Sequence, residues 1–297
     1  MMKEQLFITS LKGRVQRMPN WVINNVTVKG EKKELERFQD FVKSEEEPFD
    51  FNEIIPMPES LNVVSGGHED EAIIYYASNR LVKDFEDLLD DPVIDKKADP
   101  LTLMFYGSKE NWIREHIDRI KKNFSEKEKL DKLYEDGAIY YDNVVKYGSS
   151  SWYKWCCDNW GTKWNASDAF VGEPLKIPGE SEYSISISFE TAWSAPFNIF
   201  EELLEQFPDL DFSGEYADED LGSNCGRWKD DGGYLCVDDM TGTSDGFEFA
   251  CEVWGYDPEE FEEDEDDEDE CEYDEDEDCD DIDVEVIVVP ELKEDEL

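Results

Sequence analysis

Histidine, positive charge and long apolar runs are what this 297-residue sequence has least of. The two histidines, His68 and His116, stand far apart, which leaves little material for imidazole catalysis or a histidine-based metal site. Cysteine occurs seven times, yet never as C-x-x-C. Cys156 and Cys157 are adjacent, and Cys225, Cys236 and Cys251 are widely spaced. Structural zinc uses close ligand pairs, so no metal and no other cofactor is expected, and the thiols read as small buried apolar groups in a reducing compartment. No glycine-rich loop prepares a phosphate cradle. No run of about 20 apolar residues could cross a bilayer. Met1 to Asn20 has no apolar stretch of the kind a secretory leader carries, so the expected location is the cytoplasm.

Lysine and arginine number 28 against 78 acidic residues, a formal net charge of −50. Such a surface repels nucleic acid and anionic membrane and favours partners with a positive patch. Neither direct nucleic-acid binding nor membrane binding is expected. Aromatics make up 13% of the chain, ample for a core.

The patterns divide the chain into an arm, one large α+β domain and a tail. Residues 1–18 form a mildly basic lead with Lys3, Lys12, Arg14 and Arg17. The domain spans 19–256. Its first strand is Trp21 to Lys29, where Val26 and Val28 alternate with Thr27 and Lys29. A helix over 31–43 follows, with Leu35, Phe38, Phe41 and Val42 on one stripe. Phe49 to Pro58 reads as extended backbone, because Pro56 and Pro58 stop any helix. Residues 59–71 read as a loop, and about 71–147 as a helical insertion. Its segment Trp112 to Phe124 carries the one basic helix face, Arg114, Arg119, Lys121 and Lys122, most simply a solvated face.

Four of the nine tryptophans lie between Trp152 and Asp168, a density that suggests a packed corner with polar struts rather than a plain helix. Tyr183 to Thr191 alternates as a strand with Ile185, Ile187 and Phe189 on one face. Ser194 is placed to cap the next helix, with Pro196 in its first turn; that helix runs to about Phe207, and Leu210 to Tyr216 returns as a strand. The glycine- and aromatic-rich stretch 222–256 reads as hairpins. The tail, 257–297, is an almost purely acidic block to Asp283, followed by the β-branched run Val284 to Val289.

Several segments taken together resemble one family. They are Pro19-Asn20-Trp21 with Asn24 before Gly30, Phe49-Asp50-Phe51-Asn52-Glu53-Ile54-Ile55-Pro56-Met57-Pro58, Asn159-Trp160-Gly161-Thr162-Lys163-Trp164 and Phe189-Glu190-Thr191-Ala192-Trp193-Ser194-Ala195-Pro196. The set is similar to YubB-type proteins of phages and conjugative plasmids, over about residues 19–235. The resemblance implies a ferredoxin-like split βαβ core and an accessory role in a mobile element. It brings no catalytic residues, since the family has no assigned function.

Three functional expectations arise. The first is a non-enzymatic accessory protein that binds and blocks a basic, DNA-handling host protein such as a defence nuclease. An extended chain rises about 3.3 Å per residue. With about four carboxylates in five residues over 257–283, the spacing is roughly one charge per 4 Å, close to the ~3.4 Å of a nucleic-acid strand. The residues expected to make that contact are Asp264, Glu265, Asp266, Asp267, Glu268, Asp269, Glu270, Asp274, Glu275 and Asp276. A plain solubilising tail has the same composition. The second is an enzyme whose polar groups Asn159, Lys163, Asp168 and Glu190, with Asp158 and Ser194, converge beside the tryptophans. The third is a self-assembling homo-oligomer joined by the basic arm and the terminal strand.

Overall fold

A computed structural model describes residues 20–80 and 85–261. The chain divides into two units, Met1–Glu259 and Glu260–Leu297, and the strands and α-helices of the described residues all belong to the first. The basic lead 1–18, the ten acidic contact residues expected between 264 and 276, and the Val284 to Val289 run lie outside the described residues.

Strand β1 (Trp21–Gly30) buries Val22, Asn24, Val26 and Val28 on one face, as its alternation predicts. Helix α1 (Lys32–Val42) turns Leu35, Phe38 and Val42 onto that face. A long excursion comes next. It begins with a helical turn, α2 (Phe51–Ile54), where fully extended backbone was expected. The prolines act only downstream of it, and Asp50 starts it by accepting a hydrogen bond from the Asn52 amide, 2.9 Å.

Helices α3 (Glu69–Arg80), α4 (Phe85–Leu89), α5 (Pro92–Lys97), α6 (Pro100–Tyr106), α7 (Lys109–Asn123) and α8 (Lys127–Tyr147) make up the insertion. They have a core of their own around Ile73, Ile74, Trp112, Ile113, Leu133 and Val144. Helices α3 and α8 pack closely because Gly137 has no side chain; a Cβ there would lie 2.1 Å from the Ala72 carbonyl oxygen. On α7 three of the four residues of the expected basic face are paired: Arg114 with Glu110, Arg119 with Glu115, and Lys121 with Asp118.

Helix α9 (Trp152–Asn159) occupies the first half of the tryptophan run, so that half is an ordinary helix rather than an irregular corner. The sheet then resumes with β2 (Ser167–Val171), β3 (Leu175–Lys176), β4 (Tyr183–Ala192), α10 (Phe197–Gln206), β5 (Asp211–Asp218), β6 (Cys225–Asp230) and β7 (Leu235–Asp239). The strand order is β2-β4-β1-β5-β6-β7, with β3 also on β4, and every neighbouring pair is antiparallel. Taken as β1-α1-β2-β4-α10-β5, with α1 and α10 sharing one core against the sheet, this is the ferredoxin-like arrangement. Phe38 meets Phe207 edge-on at 5.3 Å across that core.

Two local expectations fail. Ser194 does not cap α10: Pro196 holds that position without a side-chain cap, and the Ser194 hydroxyl donates to the Gly161 carbonyl, 2.6 Å. Stretch 222–256 is a hairpin only as far as Asp239. Its end is helix α11 (Ser244–Trp254), capped by Thr243. Helix α11 sets Phe249 and Ala250 against Ala217 and Cys225, on the sheet face opposite α1 and α10. The aromatics there serve a 3.6-residue period that glycine spacing obscured.

Candidate functional site at the tryptophan corner

The conspicuous motifs meet at one end of β4, in a buried layer and an exposed one. In the buried layer Trp160 donates its indole N–H to the Ile55 carbonyl at 2.9 Å and lies edge-on to Trp155 and Phe51. Asn165 accepts from the Phe51 amide and donates to Asp50, both at 2.8 Å. Thr162 donates to the Ala192 carbonyl at 2.8 Å. These bonds stitch residues 50–55 and 160–165 to the end of β4 and satisfy the polar groups that come with the tryptophans.

The exposed layer holds Tyr153, Trp164 and Trp193, which are 39%, 36% and 43% exposed. The Lys163 ammonium lies among them, 4.3 Å from the Trp164 ring centre, 4.5 Å from Trp193 and 5.8 Å from Tyr153. Trp21 backs Trp164 at 5.9 Å. Trp193 has φ +72°, a left-handed conformation that bulky residues rarely adopt. Its amide donates to the Asn20 carbonyl at 2.9 Å, and its carbonyl accepts from the Asn224 side chain at 3.0 Å. Asn224 is itself left-handed, at φ +47°, and Asp218 accepts from both Asn20 and Asn224. Four separate chain segments therefore fix one half-exposed tryptophan.

Of the polar groups expected to converge, Asp168 and Glu190 come near each other and the others do not join them. Asn159 donates back to the Trp155 carbonyl within its own helix, 2.8 Å. Asp158 pairs with Lys154 at 2.7 Å. Lys163 belongs to the aromatic box. Asp168, at φ +48° beside the irregular Ser167–Phe170 register, lies near Glu190. Burial, then the charges of Asp168 and Glu219, push the Glu190 carboxyl above its ordinary value. A cavity of about 260 Å³ is lined by Met57, Trp152, Cys156, Trp160, Lys163 and Asn165, and by none of Asn159, Asp168 or Glu190. The sequence placed these side chains in one neighbourhood; the backbone between them aims them in different directions.

Two features carry no sequence signal. One is a groove of about 580 Å³ on the sheet face that α11 partly covers, lined in part by Asn25, Thr27, Glu215, Arg227, Lys229 and Asp238. The other is an ionic staple in the insertion. Lys97 reaches Glu69 at 2.7 Å and Asp70 at 3.0 Å, and Glu69 also accepts from Ser150 and Ser151. Burial pushes the Glu69 carboxyl up, but the Lys97 ammonium and the hydrogen bonds outweigh it and hold the group below its ordinary value. Burial opposes the Lys97 charge in the same way, and the paired carboxylates raise it overall. Cys156, Cys225 and Cys251 are buried, whereas Cys236 is exposed. Among the described residues no cluster of three or more potential ligands is placed to hold a metal, and no helix is long and apolar enough to cross a membrane.

The family model for the ferredoxin-like domain in Api92-like protein matches residues 159–284. That stretch contains β2 through β7, so the C-terminal part is a ferredoxin-like domain and the fold class is α+β. Among solved structures, the crystal structure of protein Api92 from Yersinia pseudotuberculosis is 13% identical, covering 74% of this chain and 98% of that one, with a TM-score of 0.34. No curated protein matches the sequence.

Proposed function

We propose that the protein is a non-enzymatic binding module that engages a basic, DNA-handling host protein, with carboxylates standing where that partner expects phosphates. The observation that carries the reading is the net charge of −50 in a chain whose expected basic helix face has three of its four cations paired with its own carboxylates. Such a body has nothing to offer a phosphate backbone and much to offer a positively lined cleft. The tryptophan corner supplies a contact of suitable chemistry. Half-exposed Trp and Tyr rings, already gathered round Lys163, form a ready-made contact surface, and such residues dominate interface energetics. The acidic run over 257–283 extends the same charge. An accessory role in a mobile element, with a defence nuclease as target, is the setting that the YubB-type resemblance suggests.

The test is affinity capture at low salt with the full chain, with a version ending at Tyr256 and with Trp193→Ala. The expected result is recovery of nucleic-acid-binding proteins that are displaced by added DNA and by salt. Loss on truncation assigns the contact to the tail, and loss in Trp193→Ala assigns it to the corner. Recovery of no nucleic-acid-binding protein, or binding indifferent to salt, overturns the reading.

A further inference from the structure

Helix α6 is built to be stable and leaves its apolar side outward. Asp99 accepts from the Thr102 amide at 2.8 Å, Pro100 opens the first turn, and Gly107, at φ +74°, closes the last. Leu103 and Tyr106 hold it on the insertion core, and the Tyr106 hydroxyl accepts from Arg119 at 3.3 Å. With those anchors in place, Leu101, Met104 and Phe105 are 69%, 77% and 82% exposed. Their i, i+3, i+4 spacing puts all three on one stripe, the pattern of a helix meant for a groove. Among the described residues, α6 is also the helix without a single charged side chain.

The same insertion contains an apolar groove of about 510 Å³ between the loop 62–68 and α8. Ala72, Leu133 and Tyr140 line it, and Val64 and Ile139, 77% and 42% exposed, stand on it. Its lysine and aspartate, Lys132 and Asp136, pair with each other at 3.1 Å. In a molecule of charge −50 any approach of a second copy sets carboxylate against carboxylate. An uncharged apolar helix and a charge-balanced apolar groove can meet without adding to this repulsion.

We propose that α6 of one copy seats in the Val64–Ile139 groove of a second copy, so that the protein self-associates through its helical insertion. The contact is heterologous, one surface meeting a different one. Because apolar burial drives it and acidic repulsion opposes it, salt strengthens it, opposite in sign to capture of a basic partner. Either proposal therefore survives the failure of the other.

Sedimentation equilibrium of the full chain at about 0.1 M and about 1 M salt, where screening lengths are roughly 10 and 3 Å, tests it. Association should tighten at the higher salt. Met104→Glu on α6 and Val64→Glu at the groove should each weaken it about tenfold or more without changing circular dichroism or melting, since both side chains lie in solvent. An equimolar mixture of the two variants should regain association, because one retains the groove and the other retains α6. A monomer at both salts, association unmoved by either variant, or a mixture that fails to recover would each overturn the proposal.

Discussion

Trp193 spends backbone conformation on exposure. A bulky residue in the left-handed region costs on the order of 1–3 kcal/mol, and the ring recovers little of that by burial. Trp160, in the facing motif, is buried and hydrogen-bonded. The two should separate cleanly in urea denaturation. Trp193→Gly removes the strain and the ring contacts together and should stay within about 1 kcal/mol of the parent. Trp160→Ala should lose about 3–5 kcal/mol. Glu190 gives a test of sign. Its folded carboxyl titrates above the ordinary range, so the fold favours the protonated form and ionisation costs stability once pH exceeds the unfolded value. Glu190→Gln should therefore melt higher than the parent at pH near 7, and the gain should vanish once both forms are neutral, below about pH 4. Gly137 is the opposite case. Alanine suits a helix better by about 1 kcal/mol, but the contact with the Ala72 carbonyl falls on rigid backbone. Gly137→Ala should lower stability by about 1–3 kcal/mol, measured as a shift of the urea midpoint.

At the scale of elements, what could be read in advance was periodicity, and what could not was direction. Strands β1 and β4 alternate strictly because one face is core and the other is open, and that alternation is legible. Helix α11 was hidden because its aromatics sit among glycines that belong to the turns before it. The corner was legible as a concentration of tryptophan, but the turning of Asn159 into its own helix, the seating of Lys163 among the rings and the left-handed backbone at Asp168 and Trp193 are announced by no residue type. The Glu69–Lys97 staple was invisible for a similar reason: its members lie on α3, on α5 and at Ser150 and Ser151, far apart in sequence. The staple joins these elements and makes a pH prediction. The Glu69 pKa is depressed, so its contribution is present above the ordinary carboxyl value and fades as pH falls through the folded one. The Lys97 pKa is raised, so its contribution is present below the ordinary lysine value and fades as pH rises through the folded one. Lys97→Met strands two carboxylates and should cost about 3 kcal/mol at neutral pH, less as pH drops; adding Glu69→Gln should return part of it. A chemical-denaturation series across pH checks both.

For the molecule as a whole, the excess of carboxylate sets a background against which every local pair works. Many of the described lysines and arginines already sit in short-range pairs. What remains is long-range repulsion that favours expansion over the compact state. Exposed pairs of this kind are worth about 0–1 kcal/mol each, and salt weakens them while it weakens the repulsion. The repulsion wins the comparison, because pairing at close range leaves the surplus acid with no partner at any range. Melting temperature should therefore rise with ionic strength, most steeply where the screening length shrinks from about 30 to about 10 Å. The midpoint by calorimetry in sodium chloride, with the anion held constant, reads this directly. A midpoint that falls with salt would mean that the paired cations, and not the surplus carboxylates, govern the electrostatics of the fold, and it would remove the charge argument on which binding to a basic partner rests.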